Sequence, residues 1–259
     1  MRYFIHLAYL GTKYSGWQRQ INTDLSVQQI LENKLFLMTG KKVSVMGCGR
    51  TDAGVHAMQF FAHTDLQDEW GYDPVERLNR MLPKDISIFE LIPVHDQAHA
   101  RYDAIRRSYE FHIHFIKNPY LSMISTHYET TKPDVTLIKQ GLEVIKSMND
   151  FRYLCLTPDK VNNTLCTIFD AQLFVNDDAS GLYFKFTANR FLKSMIRIMV
   201  ARLMALGTGN LSMEQFEDVC SGRQIIPYKA MAYPQGLHLT EVIYPYLQRA
   251  LIPSSLKRT

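Results

Sequence analysis

Two capped helices set between strand-like runs constrain this chain most, because they impose an alternation of elements that few architectures accommodate. Arg2-Tyr3-Phe4-Ile5-His6-Leu7 reads as an opening strand. Ser26-Val27-Gln28-Gln29 then carries a capping-box pattern, and Ile30, Leu31, Lys34, Leu35 and Met38 follow at helical spacing until Gly40. This predicts a helix over 27–39. Asp73-Pro74-Val75-Glu76 repeats the logic with Asp as cap and Pro at the first helical position, and Leu78, Met81 and Leu82 supply the apolar face before Pro83. Runs 41–46, 58–63 and 85–90 read as strands. The first hundred residues are thus expected to run strand, helix, strand, loop, strand, helix, strand.

The rest of the chain is a looser version of the same order. Arg107-Ser108-Tyr109-Glu110-Phe111-His112-Ile113 alternates as a strand, and 134–148 carries apolar residues at Leu137, Ile138, Leu142, Ile145 and Met148. Strands are expected over 164–175 and 182–187, a helix over 191–206, a capped helix from Ser212, and a closing strand over 236–242. The economical architecture is a mixed α/β (α+β) fold of two βαββαβ halves sharing one largely antiparallel sheet. We place an N-terminal half at 1–104 and a C-terminal half at 105–259, with no disordered linker between them.

Between the second and third strands lies Gly49-Arg50-Thr51-Asp52-Ala53-Gly54-Val55-His56-Ala57, which sets a carboxylate, a guanidinium and an imidazole on one connector. Loops held by a rigid sheet are where catalytic groups concentrate, and Gly49 and Gly54 would permit the backbone angles of a turn around Asp52. The plainer reading is a hairpin whose Asp closes an Asx turn. Arg50, two residues before Asp52, favours the functional one.

Composition narrows the setting. A chain of 259 residues with 46% hydrophobic and 21% charged residues folds around a substantial core. Formal charge is +4, and basic residues group at Lys41 and Lys42, at Arg77 and Arg80, at Arg101, Arg106 and Arg107, and at Arg190, Lys193, Arg197 and Arg202. That pattern is compatible with nucleic-acid binding without proving it, and a solvated face explains any one group. Cys48, Cys155, Cys166 and Cys220 form no C-x-x-C pair, which fits reduced thiols in a cytoplasmic protein. The early opening strand leaves no room for a signal peptide, and no apolar run is long enough to span a bilayer. Over 191–206, Leu192, Met195, Ile196, Met199, Val200 and Leu203 predict a buried helix, with Arg190, Lys193 and Arg197 on one stripe. A buried guanidinium needs a partner, and Asp52 is the candidate for Arg197.

The segment 49–57 resembles the signature of the bacterial tRNA pseudouridine synthase A family, and other segments extend that resemblance over nearly the whole chain. Residues 9–18, from Tyr9-Leu10-Gly11 to Trp17-Gln18, are similar to its opening motif. Leu78-Asn79-Arg80-Met81-Leu82-Pro83, His99-Ala100-Arg101-Tyr102 with Arg107-Ser108-Tyr109, Phe191-Leu192-Lys193-Ser194-Met195-Ile196-Arg197, and Gly236-Leu237-His238-Leu239 match later segments in the family's order.

The resemblance implies the pseudouridine synthase fold, isomerisation of uridine to pseudouridine in the anticodon stem-loop of tRNA, a homodimer, and no cofactor or metal. It implies that Asp52, Tyr109 and Arg197 are catalytic, with Arg197 paired to Asp52 and Tyr109 stacked on the uracil. It further implies that Arg50, Thr51, His56, Arg101, Arg107, Lys193, Leu237 and Leu239 contact the RNA or wall the nucleotide pocket. Asp52 would attack the nucleotide covalently or remove a ribose proton, and the sequence leaves both routes open. For Tyr109 and the leucines the plainer reading is core packing, and for His56 it is a structural role.

The chain departs from the family pattern at Leu10, Ala98, Asn149, Cys166, Ala201 and Tyr233-Pro234, all outside the Asp52 loop. These bear on RNA docking more than on chemistry. Two other classes compete. One is a noncatalytic tRNA-binding or RNA-folding protein on the same fold, which the retained Asp52, Tyr109 and Arg197 disfavour. The other is a metal hydrolase using Cys48, Asp52, His56 and His63, which lack recognised ligand spacing, as His95 and His99 lack the Glu of a zincin helix.

Overall fold

The computed structural model describes residues 1–66, 70–129, 132–224 and 230–247. Among the described residues, nine strands, mostly antiparallel, and five α-helices make a mixed α/β fold. The elements run in two βαββαβ series, the second with an added short strand and an added helix. Backbone packing divides the chain into one unit of Met1–Arg106 with the chain from Leu239 on, and a second of Arg107–His238.

In the first unit, β1 (Arg2–Tyr9) lies between β3 (His56–Asp65) and β4 (Ile86–Val94), antiparallel to both. Ile5 stands opposite Ala62 on one side and Leu91 on the other. Phe4, Ile5, His6 and Leu7 are buried in succession rather than alternately, so side chains on both faces of this central strand are covered. Helix α1 (Val27–Thr39) starts where Ser26 Oγ accepts from Gln29 N, 3.3 Å, and stops at Gly40, whose φ of 70° is the left-handed cap that glycine accommodates. The capping box is half formed, since the Gln29 side chain turns instead to Asp24, 2.7 Å. Helix α2 (Pro74–Met81) is capped by Asp73, which accepts from Val75 N and Glu76 N.

The expected strand over 41–46 shrinks to β2 (Met46–Gly47), which pairs with β3. Side chains of α1 take the main-chain groups a longer strand would have used: Glu32 Oε1 accepts from Val45 N at 3.1 Å, and Gln28 Nε2 donates to Val45 O at 3.0 Å.

In the second unit, β8 (Gly181–Ala188) lies between β5 (Arg106–His114) and β7 (Ile168–Val175), antiparallel to both, while β6 (Thr126–His127) adds to β5 in parallel. Helix α3 (Val135–Ser147) is capped by Asp134 and packs closely on α4 (Met195–Gly207). A Cβ at Gly141 would sit 2.8 Å from a Leu206 methyl, so glycine sets that approach. Helix α5 (Met213–Ser221) carries a complete capping box between Ser212 and Gln215. The last strand, β9 (Leu237–Ile243), begins in the second unit's stretch of chain and ends in the first's.

Two sequence expectations change here. The strand over 164–175 begins only at Ile168, because Thr167 N is taken by Asn189 Oδ1, 2.9 Å. The helix over 191–206 begins only at Met195. Ser194 is left-handed, φ 56°, and Lys193 O accepts from Leu156 N, so residues 191–194 form an irregular approach. Arg190, Lys193 and Arg197 therefore do not share a helical stripe. The helix is buried as expected, but its buried arginine is Arg202, 7% exposed, whereas Arg197 is half-buried.

Two imidazoles make the stability of the first unit pH-dependent. His6 is buried, its ring stacked on Phe61 at 4.8 Å, with Nε2 lacking a hydrogen-bond partner among the described residues. Burial pushes its pKa down to about 4 against the opposing charge of Glu90. His63 is likewise pushed down to about 4, by burial first and then by His99 and Arg2, against Asp65 and Asp103. Both folded-state values lie below the ordinary 6.5, so their contribution is complete above pH 6.5. As pH falls toward 4 the unfolded chain takes up protons that the folded one refuses, and the contribution is lost. We expect His6→Phe, which preserves the stack on Phe61, to reduce the loss of unfolding free energy between pH 7 and 4.5 by about 2 to 3 kcal/mol. Parallel urea curves for both proteins at the two pH values check this, and an unchanged difference would overturn it.

Candidate active site

The Asp52 loop is built by main-chain geometry before its side chains act. Asp52 O accepts from Val55 N at 3.2 Å, closing a turn in which Gly54 takes φ 79°, the left-handed angle a type II turn needs at its third position. Gly49 has no such angle, and a Cβ there would meet nothing within 4 Å. Of the two glycines expected to shape the loop, only Gly54 does so by its backbone.

The opening segment braces this turn from a distance in sequence. Gly54 N donates to Tyr14 O and Trp17 N donates to Thr51 O, each 3.2 Å. The Tyr9 hydroxyl lies 2.9 Å from Thr51 Oγ1. Gly11 N donates to His56 Nδ1 at 3.0 Å. A Cβ on Gly11 would come within 1.9 Å of Val55 O, and one on Gly16, where φ is 95°, within 2.5 Å of Thr51 O. Trp17 is buried against Phe60, ring centroids 4.1 Å apart, and leaves no room for a Cβ on Gly47. Tyr14 is anchored in turn by a hydrogen bond from its hydroxyl to Asp85.

The resulting turn holds Asp52 half-buried between exposed Arg50 and exposed Ala53. Thr51 and His56 are buried, 8% and 1% exposed, and their polar atoms are engaged in the bracing. His56 offers almost no surface to an RNA; its imidazole holds the Gly11 segment against the loop, with Nδ1 as acceptor.

The remaining candidates are distributed between the two units. Arg101 is exposed on the connector after β4, where neighbouring Ala100 N donates to His63 Nδ1, 3.1 Å. His63 stands seven positions beyond His56 along β3, about 23 Å of strand from the Asp52 turn. Leu239, at the start of the chain that rejoins the first unit, is 1% exposed.

In the second unit, Tyr109 lies on β5 opposite Phe186, its ring edge against Phe191 at 5.2 Å, and is 9% exposed. Arg107 donates from its guanidinium to Asn189 O, 3.1 Å. Lys193 is exposed on the approach to α4. Arg197 is fixed by Nε donating to Ala232 O at 2.8 Å, while Arg197 O accepts from Ala232 N at 3.0 Å. Leu237 is 7% exposed at the start of β9. Among the described residues, no group of three His, Cys, Asp or Glu side chains is placed to hold a metal ion. Likewise no helix is long and apolar enough to cross a membrane.

The sequence reading missed what Tyr9, Gly11, Tyr14, Gly16 and Trp17 do. The spacing of Gly11 and Gly16 within an aromatic stretch was a visible signal, but only the fold shows that both glycines face the Asp52 loop.

Residues 5–103 and 148–245 match the profile of a family described as tRNA pseudouridine synthase. The chain is 36% identical over 249 residues to tRNA pseudouridine synthase A of Porphyromonas gingivalis, covering 94% of this chain and 97% of that protein. It is 36% identical over 247 residues to the protein of that name from Bacteroides fragilis, with coverage of 94% and 96%. For Streptococcus mutans the identity is 32% over 247 residues, with coverage of 94% and 99%.

Proposed function

Because the chain belongs to the tRNA pseudouridine synthase family, we propose that it isomerises uridine to pseudouridine in tRNA with Asp52 as the reacting carboxylate. The observation that carries this is the braced turn, which spends four main-chain and side-chain contacts and two glycines on presenting one half-buried Asp.

The reaction breaks the bond from uracil N1 to ribose C1′, turns the base, and joins C5 to C1′, with the C5 hydrogen lost and a proton gained at N1. The target must first leave the stack for a pocket. An ionised carboxylate serves the first bond change by attack on C1′ or by removing a ribose proton, and the same group is required in both. No second carboxylate is needed, because water must be kept out while the detached uracil is recaptured.

In this reading Arg197 supplies the cation opposite Asp52, and its fixed hydrogen bond to Ala232 O supports a defined guanidinium position. Tyr109 stacks on the uracil, a role suited to its flat ring. Arg50, exposed two residues before Asp52, holds the extruded nucleotide or fills the place it leaves. Leu237 and Leu239 wall the pocket, while Lys193, Arg107 and Arg101 meet phosphates. The N-terminal half supplies the catalytic Asp and the C-terminal half completes the cleft. The protein acts as a cytoplasmic homodimer on the anticodon stem-loop, without cofactor or metal.

The test is release of tritium from tRNA labelled at uracil C5, since joining C5 to C1′ displaces that hydrogen. Wild type is expected to release label in step with pseudouridine formation, and equally after chelation of divalent ions by EDTA. Tight tRNA binding with no release would overturn the reading in favour of a noncatalytic RNA-binding protein. Sedimentation at a mass near 30.0 kDa, that of one chain, would overturn the dimer.

A further inference from the structure

We propose that Ile21 is a wedge that enters the RNA beside the target uridine and separates the neighbouring bases; the inference rests on the tRNA-modifying function above. Ile21 is fully exposed, 108% by relative area, and is the most exposed large apolar side chain among the described residues. A single exposed apolar residue is ordinary and by itself means little. Here the loop that carries it is neither loose nor remote.

The chain leaves the Asp52 turn at Gly16 and Trp17 and returns where Leu25 O accepts from Ser15 N, 2.8 Å. Between them Gln20 and Thr23 pair as a β-bridge, so Ile21 and Asn22 form the tip of a two-residue reversal. Gln20 Nε2 donates to Ser15 O at 2.7 Å, and Arg19 N donates to Gln28 Oε1 at 2.9 Å. Arg19 also pairs with Glu32 at 3.0 Å, and the Glu32 carboxylate is itself held by Val45 N and Gln28. A side chain on such a loop pays little further ordering entropy when it binds.

The base of this loop and the catalytic turn are one hydrogen-bonded body. Gly16 lies against Thr51 and Asp52, and Trp17 N donates to Thr51 O. Four residues separate Ile21 from Gly16, five steps of chain, so its backbone is at most about 18 Å away. That reach spans the few nucleotides around a flipped base. Exposed Gln18, Gln20 and Asn22 flank the tip with hydrogen-bonding groups. An apolar tip between polar side chains is the composition by which proteins open a base step, and unstacking is the cost that base extrusion must meet.

The experiment compares two stem-loop RNAs, one with the target uridine paired and one with its partner changed to leave it unpaired. On the paired RNA, Ile21→Ala is expected to lower kcat/KM about tenfold, while Ile21→Leu stays near wild type. On the unpaired RNA, where the step is already open, Ile21→Ala is expected to act less than about twofold. Equal losses on both substrates, no loss on either, or a loss accompanied by a change in oligomeric mass would overturn the proposal. The last outcome would assign Ile21 to a contact between protein copies. A 2-aminopurine base next to the target decides the matter without turnover: its fluorescence should rise on binding wild type and remain low with Ile21→Ala. Should wild type convert neither RNA, the functional reading fails, and the fluorescence comparison still tests the wedge.

Discussion

Asp52→Asn is expected to abolish tritium release, by a factor on the order of 10⁴ or more, while tRNA binding and the urea midpoint stay near wild type. The amide matches the carboxylate in shape but is neither a nucleophile toward C1′ nor a base of useful strength. The structure explains why the loop should survive the change. The turn is closed by the main-chain carbonyl of Asp52, and its braces attach at Thr51, Gly54, Val55 and His56. A loss of activity accompanied by unfolding would point to a structural Asp, and release equal to wild type would sink the mechanism.

Gly16→Ala is expected to lower kcat about 100-fold and stability by about 1 to 3 kcal/mol. Two costs combine. The φ of 95° disfavours any side chain, and the new methyl would meet Thr51 O at 2.5 Å, where the obstruction is main chain and cannot swing aside. Relief must come from moving the loop that holds Asp52, and a displacement near 1 Å suffices for a loss of this size. Gly49→Ala is the control, since its Cβ would meet nothing within 4 Å and its backbone angle is ordinary. Kinetics and urea unfolding of both variants test the argument, which fails if Gly16→Ala is as active as Gly49→Ala.

Much of the fold was legible because its signals are local. Asp73-Pro74 and Ser212 announce helix starts that the structure places at Pro74 and Met213, and the alternation around Tyr109 marks a strand found at Arg106–His114. The failures came where distant groups compete for the backbone. Val43 and Val45 read as a strand, yet side chains from α1 claim the Val45 amide and carbonyl. Phe191-Leu192-Lys193-Ser194 has a helical pattern, yet Leu156 N claims Lys193 O and the helix waits for Met195. The two-residue β6 gave no signal, because a strand that short carries no period.

For the candidate site the division is similar. Chemistry-bearing residues announce themselves by type and spacing, and the segment 49–57 is dense enough to mark Asp52 before any fold is known. Its amino-acid sequence alone thus determined the order of most elements, a candidate loop around Asp52 and the family to which the chain is similar. Tertiary structure decided which residues make that loop rigid, turning His56 into a brace, relieving Gly49 of any steric duty and giving Gly11 and Gly16 theirs. The reason is the range of the forces involved. Periodicity and capping act within a few residues, whereas the contacts between 9–17 and 51–56 join groups about forty residues apart, and packing at that separation exists only once the sheet has formed.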